Sequence, residues 1–368
     1  MQAPAPIRIL LIAPSFKIIG GQSVQASRLL SEFRKEPSIR VDFQPIDPEV
    51  PRPLRFLLRV KYLRTLTKFC VYCSQLLWRV PRYDILHVFS AAYTSYMFWS
   101  LPALFTAKLS GRKIILNYRD GQAEDHLKNW RTALPTLRMM DVIVSNTPFL
   151  VDVFSRFGLR IRAIWNIIDA NRFIYRQRSC LRPVFLHNRI LEPLYNIQCS
   201  LRAFQIVQQR YPGASLTVAH DGPSRAELEA FARSLDLKNT RFIGAVPHSE
   251  VNALYDSADI YFTSPDFDCM PGSLLECFAS GLPVVATAVG GIPYIAGEGE
   301  TALLVPADDH QAMADAAFRL LEDPALVESL TKKARAHVEQ FDAYSVRRQW
   351  TALYHEALGR QLPAQERE

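Results

Sequence analysis

Short apolar runs alternate along the chain with stretches whose apolar residues recur every three or four positions. That alternation marks βαβ units, because a parallel strand is buried on both faces and needs a helical return path. Ile7–Ala13 reads as a strand, followed by Gly20-Gly21 and a helix near Gln22–Phe33. Val41–Gln44, Ile85–Val88, Lys113–Leu116, Val142–Ser145 and Arg162–Trp165 are further predicted strands. Residues 171–183 hold Arg172, Arg176, Arg178 and Arg182, with no acid after Asp169, and read as an interdomain linker. The pattern then restarts. Strands are predicted at Val184–Leu186, Ser215–Ala219, Arg241–Ile243, Ile260–Thr263, Val284–Ala286 and Ala302–Val305. Helices are predicted at Ile197–Arg210, Ser224–Leu235, Ser249–Ser257, Ser273–Ala279 and His310–Glu322, and Leu326–Gly359 reads as helical with few interruptions. Two Rossmann-like halves in tandem predict a two-lobed α/β enzyme, with ligands in the cleft at the carboxyl ends of the strands.

A length of 368 residues fits two domains. With 49% apolar and 21% charged residues the composition is that of a globular protein. Met1–Pro6 has no positive n-region, and Ile7–Ala13 is too short and too interrupted by Arg8 to be a signal core. The six cysteines therefore read as free thiols of a reducing compartment. Cys70-x-x-Cys73 lacks the second pair or nearby histidine that a zinc site needs. Val88–Ala107 carries no formal charge and is long enough for a bilayer. Its Ser, Thr and Tyr residues and Pro102 make it instead a strand, a loop and a buried helix.

The net charge of +7 is local. Residues 51–83 hold Arg52, Arg55, Arg59, Lys61, Arg64, Lys68, Arg79 and Arg82 and no acid, so the rest of the chain nets −1. That excludes a uniformly basic polyanion clamp. Phe56, Tyr62, Phe69, Tyr72 and Trp78 and many Leu residues are interleaved with the charge. A basic helix of that kind suits an anionic membrane surface, although a solvated helix face gives the same pattern. No nucleic-acid motif accompanies it.

The chemistry concentrates between Ser264 and Pro293. Asp268 lies in a predicted loop, and Glu276, eight residues on, lies in the helix that follows. The N–H groups of Gly272, Ser273 and Leu274 would point outward at the helix start, which favours phosphate. Ser273-x-x-Glu276 alone would read as a capping box. Asp268 argues against that, since a second carboxylate adds nothing to a cap. Two carboxylates beside a phosphate-binding helix start suit hydroxyl-rich groups such as ribose and a hexose. No G-x-G-x-x-G follows a strand, so a nicotinamide dehydrogenase is disfavoured.

This segment resembles the signature of the retaining GT-B glycosyltransferases of family 4, roughly E-G-x-P-x-x-L-L-E-A-M-A-x-G-x-P-V-V-A-T, with Asp268 where the first Glu usually stands. Further matches are His220-Asp221-Gly222-Pro223 to G-D-G-P, Phe242–Glu250 with Leu254–Asp259 to F-x-G-x-V-P-x-x-E-x-x-x-L-Y-x-x-A-D, Asn166–Asp169 to N-G-V-D, Gly20-Gly21 to the N-terminal glycine loop, and Val305–Asp308. The resemblance is strong over about 184–345 and thinner before.

It implies a GT-B fold: two Rossmann-like lobes facing a cleft, with the C-terminal helix crossing back to the N-lobe. The implied boundaries are 1–178, completed by 345–368, for the acceptor-side lobe and 179–344 for the donor lobe. The implied activity is transfer of a sugar, with retention, from a UDP- or GDP-sugar to a lipid-linked or membrane-proximal glycan acceptor, with no metal or other cofactor. Glu276 would hold the ribose and Asp268 the transferred sugar, with Arg189 and Asp120 as further candidate catalytic residues. Donor contacts would come from Gly20, Gly21, Arg189, His220, Gly222, Val246, Pro247, Met270, Pro271, Gly272, Ser273, Leu274 and Glu276, with the Gly244–His248 segment near the base. The implied setting is the cytoplasmic face of a membrane, with residues 51–83 against its anionic surface and no nucleic acid.

Two positions depart from the family. It usually places an Arg and, five residues later, a Lys to neutralise the diphosphate. Arg189 fits, but Leu194 stands where the Lys would be. Arg189 could alternatively pair with Glu192. The family also often has a His after the strand matching Lys113–Leu116, whereas this chain reads Asn117-Tyr118-Arg119-Asp120. Arg119 or Asp120 could line the site instead, and His126 is expected on a helix surface. A nucleotide-sugar epimerase of the same fold is a rival, disfavoured by the Pro271-Gly272-Ser273 loop, and the two departures leave open a catalytically weak membrane-associated sugar-binding scaffold.

Overall fold

The computed structural model describes residues 5–17, 20–247 and 249–361. The chain divides into two compact units, 1–167 with 343–368, and 168–342. In the first unit, β1 (Ile7–Ala13), β2 (Ile39–Pro45), β3 (Ile85–Ser90), β4 (Lys113–Tyr118), β5 (Val142–Ser145) and β6 (Arg162–Ala163) form a parallel sheet of order β2-β1-β3-β4-β5-β6. In the second, β7 (Val184–Asn188), β8 (Ser215–Ala219), β9 (Thr240–Gly244), β10 (Ile260–Thr263), β11 (Val284–Thr287) and β12 (Leu303–Val305) run parallel in the order β12-β11-β10-β7-β8-β9. The apolar runs become strands because both faces are covered: every residue of β3, β10 and β11 is buried. The order reverses between β1 and β3 in one sheet and between β7 and β10 in the other. Such a reversal opens a crevice beyond the strand ends where ligands bind.

Helix ends follow side-chain chemistry. The side chains of Asn196, Asp309 and Asp323 accept backbone N–H groups at the starts of the Ile197–Arg210, His310–Glu322 and Pro324–Val338 helices.

Several expectations are corrected. The helix expected over Leu326–Gly359 is two helices, Pro324–Val338 and Ala343–Ala357, separated by a tight turn and an extended Asp342. The second buries Val346, Trp350, Leu353 and Tyr354 in the core of the first unit. The stretch read as a linker is structural. Arg176 and Arg182 bond the carboxylate of Asp259, whose side chain is 4% exposed. Buried Arg178 donates to the carbonyls of Ser280 and Tyr255. His126 is not on a surface. It is fully buried, ringed by Tyr93, Tyr96, Tyr118 and Trp130, and its Nδ1 lies 2.9 Å from the Tyr118 hydroxyl. Among the described residues, no helix is long and apolar enough to cross a membrane.

The basic block folds as a 3-10 helix, Arg52–Arg59, and the Lys61–Arg79 helix. Val71, Tyr72 and Leu76 are buried in the unit. Leu54, Phe56, Val60, Tyr62, Leu63 and Leu66 are exposed, as are Arg52, Arg55, Arg59 and Arg64.

Burial raises the Asp259 pKa, but its bonds from Arg182 and Arg176 outweigh that and leave it below the ordinary value. Asp259→Asn is expected to destabilise the protein by about 3 kcal/mol at neutral pH, because it leaves the buried Arg178 guanidinium, 4.0 Å away, without its carboxylate. A lowered carboxylate pKa contributes stability above the unfolded value of about 3.9 and loses it as pH falls. Urea titrations of wild type and variant should therefore differ at pH 7 and converge below about pH 4.

Candidate active site

The second unit brings its chemistry together at the β7/β10 reversal. Asn188 ends β7 and Arg189 follows it, while β10 ends at Thr263 and runs into the Asp268 loop. The Arg189 Nη2 donates to Asp268 Oδ2, and both side chains are 13% exposed. Arg189 Nη1 lies 3.4 Å from the Ser273 hydroxyl, and the guanidinium carbon sits 4.3 Å from the centre of the Tyr195 ring. Burial works against the Arg189 charge, but Asp268 more than offsets it and holds the pKa above the ordinary arginine value. The partner is Asp268, not the exposed Glu192. Next along β7, burial and then the Arg189 charge lower His187 to about 3, so this imidazole is neutral.

The helix after the loop is Gly272–Ser280, with Pro271 at its N-cap and no side-chain cap. Ser273 and Glu276 are its second and fifth residues, so they form no capping box. Glu276 Oε2 accepts a 2.7 Å bond from the buried Tyr255 hydroxyl, which in turn lies 3.2 Å from Asn188 Nδ2. Burial and then the Glu276 charge push the Tyr255 pKa well up, so the phenol keeps its proton and donates it to the carboxylate. Tyr261, on β10, donates to the Asn188 carbonyl at 3.1 Å and ties the end of β7 to the sheet.

The Asp268 loop is held by backbone. Met270 N donates to Asp268 Oδ1 at 3.1 Å, and Gly291 N to the Asp268 carbonyl at 2.8 Å. Gly290 is obligatory: its φ is +53°, and a Cβ there would lie 2.3 Å from the Asp268 carbonyl oxygen. Gly222 has the same steric reason, since its Cβ would meet the Leu191 carbonyl oxygen at 2.4 Å. His220, at φ +85°, donates its N–H to the Gly244 carbonyl at 2.6 Å and carries the turn.

Among the sequence candidates, hydrogen bonds link Arg189, Asp268, Met270 and Ser273, while Glu276 is linked through Tyr255 to Asn188, the residue before Arg189. Met270, Pro271 and Leu274 are buried around them. Val246 is half-buried and Pro247 exposed in the loop after β9, and His248 lies outside the described residues. Gly20, Gly21 and Asp120 belong to the first unit. Gly20-Gly21 open the Gly21–Phe33 helix after β1, with nothing within 4 Å of where a Cβ would sit on either. Asp120, just beyond β4, accepts the N–H groups of Ala92 at 2.9 Å and Gln122 at 3.0 Å. Arg119 donates to Asn166 and lies over the Phe89 ring. Tyr195 and Tyr255 were not singled out by sequence. Tyr255 stands within a quoted family motif, a signal that could have found it. Tyr195 carries no such signal.

Two parallel sheets with flanking helices, each with its order reversal, give the chain a GT-B fold. Residues 180–337 match the family model described as Glycosyl transferases group 1. It is 30% identical over 230 residues to an exopolysaccharide phosphotransferase of Streptomyces coelicolor, covering 61% of this chain and 24% of that protein. It is 33% identical over 176 residues to the D-inositol 3-phosphate glycosyltransferase of Corynebacterium glutamicum, covering 46% of this chain and 42% of that one. The chain thus spans less than half of each of these relatives. Among solved structures, Anabaena HepE in complex with UDP and glucose matches with a TM-score of 0.74 and 17% identity, over 96% of this chain and 99% of that one. Sucrose-phosphate synthase of Thermosynechococcus elongatus matches with a TM-score of 0.74 and 19% identity over the same shares.

Gly290→Ala is expected to lower stability by about 1–3 kcal/mol, since the main chain under Asp268 must move. Thermal melts beside an Ala substitution at open, exposed Gly213 check it; equal melting points would mean the loop is not held as described.

Proposed function

We propose that the protein is a retaining glycosyltransferase that uses a UDP- or GDP-sugar. The observation that carries the reading is the charged Arg189 beside an uncapped helix start, with Asp268 and Glu276 flanking it at the sheet reversal. Arg189 and the N–H groups of Gly272 and Ser273 take the diphosphate, an electrostatic stabilisation built before the reaction begins. Glu276, aligned by Tyr255, accepts the ribose hydroxyls, and Asp268 stands beside the sugar. The acceptor hydroxyl attacks the anomeric carbon on the face from which the diphosphate leaves. The carbon–oxygen bond to the diphosphate breaks as the new one forms, and the acceptor proton passes to the departing phosphate oxygen. Asp120, at the end of β4, belongs to the acceptor-side unit.

The acceptor in this reading is a lipid-linked or membrane-proximal glycan at a cytoplasmic membrane face. The support is the exposed apolar and arginine-rich surface of residues 52–66. Each basic residue near an anionic surface contributes about 1 kcal/mol. Leu194 favours a second reading, a sugar-binding scaffold with weak turnover, because a cation usual in the family is missing there.

A panel of nucleotide sugars, read by released nucleoside diphosphate, separates the two. The transferase releases diphosphate with one donor, and Glu276→Ala lowers that rate about 100-fold or more. Release unaffected by Glu276→Ala would remove the assignment, and no release with any donor would favour the scaffold. For the membrane face, replacing Arg52, Arg55, Arg59 and Arg64 together by Gln should release the protein from phosphatidylglycerol vesicles while donor binding stays intact. Equal sedimentation of the variant with those vesicles would sink the docking idea.

A further inference from the structure

A guanidinium that must neutralise a diphosphate has to be aimed, because its N–H groups form a rigid planar fork. Arg189 stands in that position without the usual lysine. Leu194 is 42% exposed, and its carbonyl accepts the Asp266 N–H at 2.9 Å. Arg189 is fixed from three directions: Asp268 holds one edge of the fork, Ser273 lies 3.4 Å from the other terminal nitrogen, and the Tyr195 ring lies beneath at 4.3 Å. Ser273 is also the second residue of the uncapped helix, so the fork is anchored beside the helix N–H groups. On the Asp268 side both carboxylate oxygens are engaged, Oδ2 by Arg189 and Oδ1 by Met270 N. The shorter Asp, in place of Glu, stays close to its own loop and to the guanidinium.

We infer that Asp268 is a positioning residue. It acts through Arg189, and together with Tyr195 it aims that cation at the leaving diphosphate of a nucleotide donor. The inference rests on the donor reading above and assigns Tyr195 a part in it. It makes donor affinity depend on Asp268 through the diphosphate and not through the sugar.

The sign of one measurement decides it. Simple Coulomb repulsion says that removing a carboxylate beside an anion-binding site tightens diphosphate binding. Positioning says that removing it weakens binding, because the fork is no longer held. UDP and GDP, each without sugar, are titrated calorimetrically into wild type, Asp268→Asn and Tyr195→Leu, followed by the nucleotide sugar that the panel identifies. Both variants are expected to bind the free diphosphate about tenfold more weakly or worse, and the nucleotide sugar by the same factor. Asp268→Glu is expected to retain most affinity. Adding Leu194→Lys to Asp268→Asn is expected to recover it, since a second cation relieves the need for aim. Free-diphosphate affinity that is unchanged or higher in Asp268→Asn, with loss confined to the nucleotide sugar, overturns the inference and makes Asp268 a ligand of the sugar alone. If circular dichroism shows Asp268→Asn unfolded, Tyr195→Leu carries the test, and its unchanged affinity overturns the inference equally. Wild type that binds neither diphosphate defeats the donor reading itself, an outcome distinct from the variants failing to differ.

Discussion

A charge taken out of water must meet an opposite charge, or the desolvation cost unfolds the site around it. In the second unit this requirement is met at both ends of the sheet. At the carboxyl end Arg189 meets Asp268. At the opposite end Asp259, immediately before β10, gathers Arg176 and Arg182 from the segment leading into β7. The two pairs differ in what they leave available. Asp259 closes a structural joint, tying the segment before β7 to β10. Arg189 lies beside an uncapped helix start, with one terminal nitrogen on Asp268 and the other near Ser273. One kind of interaction therefore serves as a clamp at one end and, in the proposed reading, as an anion receptor at the other.

The reversal of strand order explains why the receptor lies where it does. Loops leaving neighbouring strands at such a reversal turn to opposite faces of the sheet and flank a crevice. Arg189 is the first residue after β7, and Asp268 lies in the loop after β10. Glu276 joins them one helical turn further on, through Tyr255 and Asn188. The first unit has a comparable polar line. His87, buried mid-strand, bonds the Tyr354 hydroxyl at 2.6 Å and lies 3.1 Å from Asn117, which leads to Arg119 beyond β4. Burial, then the Arg119 charge, lowers His87 to about 3, so it is a neutral linker and not a titrating group. The helix that returns to the first unit thus touches the network behind the end of β4.

Much of the fold was legible. Ile260–Thr263 and Ile197–Arg210 have the boundaries their patterns predict, because a strand buried on both faces and a helix buried on one leave distinct periodicities. The Asp268 and Glu276 pair was legible from its spacing and the glycines around it. Less legible were positions whose role depends on a distant partner. The arginines of 171–183 look like a solvated linker until Asp259 is placed among them. His126 looks like a surface residue on a polar helix until four aromatic rings close over it. The break at Asp342 carries no glycine or proline signal.

The sequence by itself determined the strand and helix content, the tandem repeat of the α/β pattern, and the local nature of the basic block, since these depend only on periodicity and charge along the chain. Tertiary structure alone decided which carboxylate each arginine meets, that Ser273 lies inside the helix and not at its cap, and that Tyr195 and Tyr255 support the site. The physical reason is that a side-chain pairing is set by the distance between loops far apart in sequence, and that distance is fixed only when the sheet has formed.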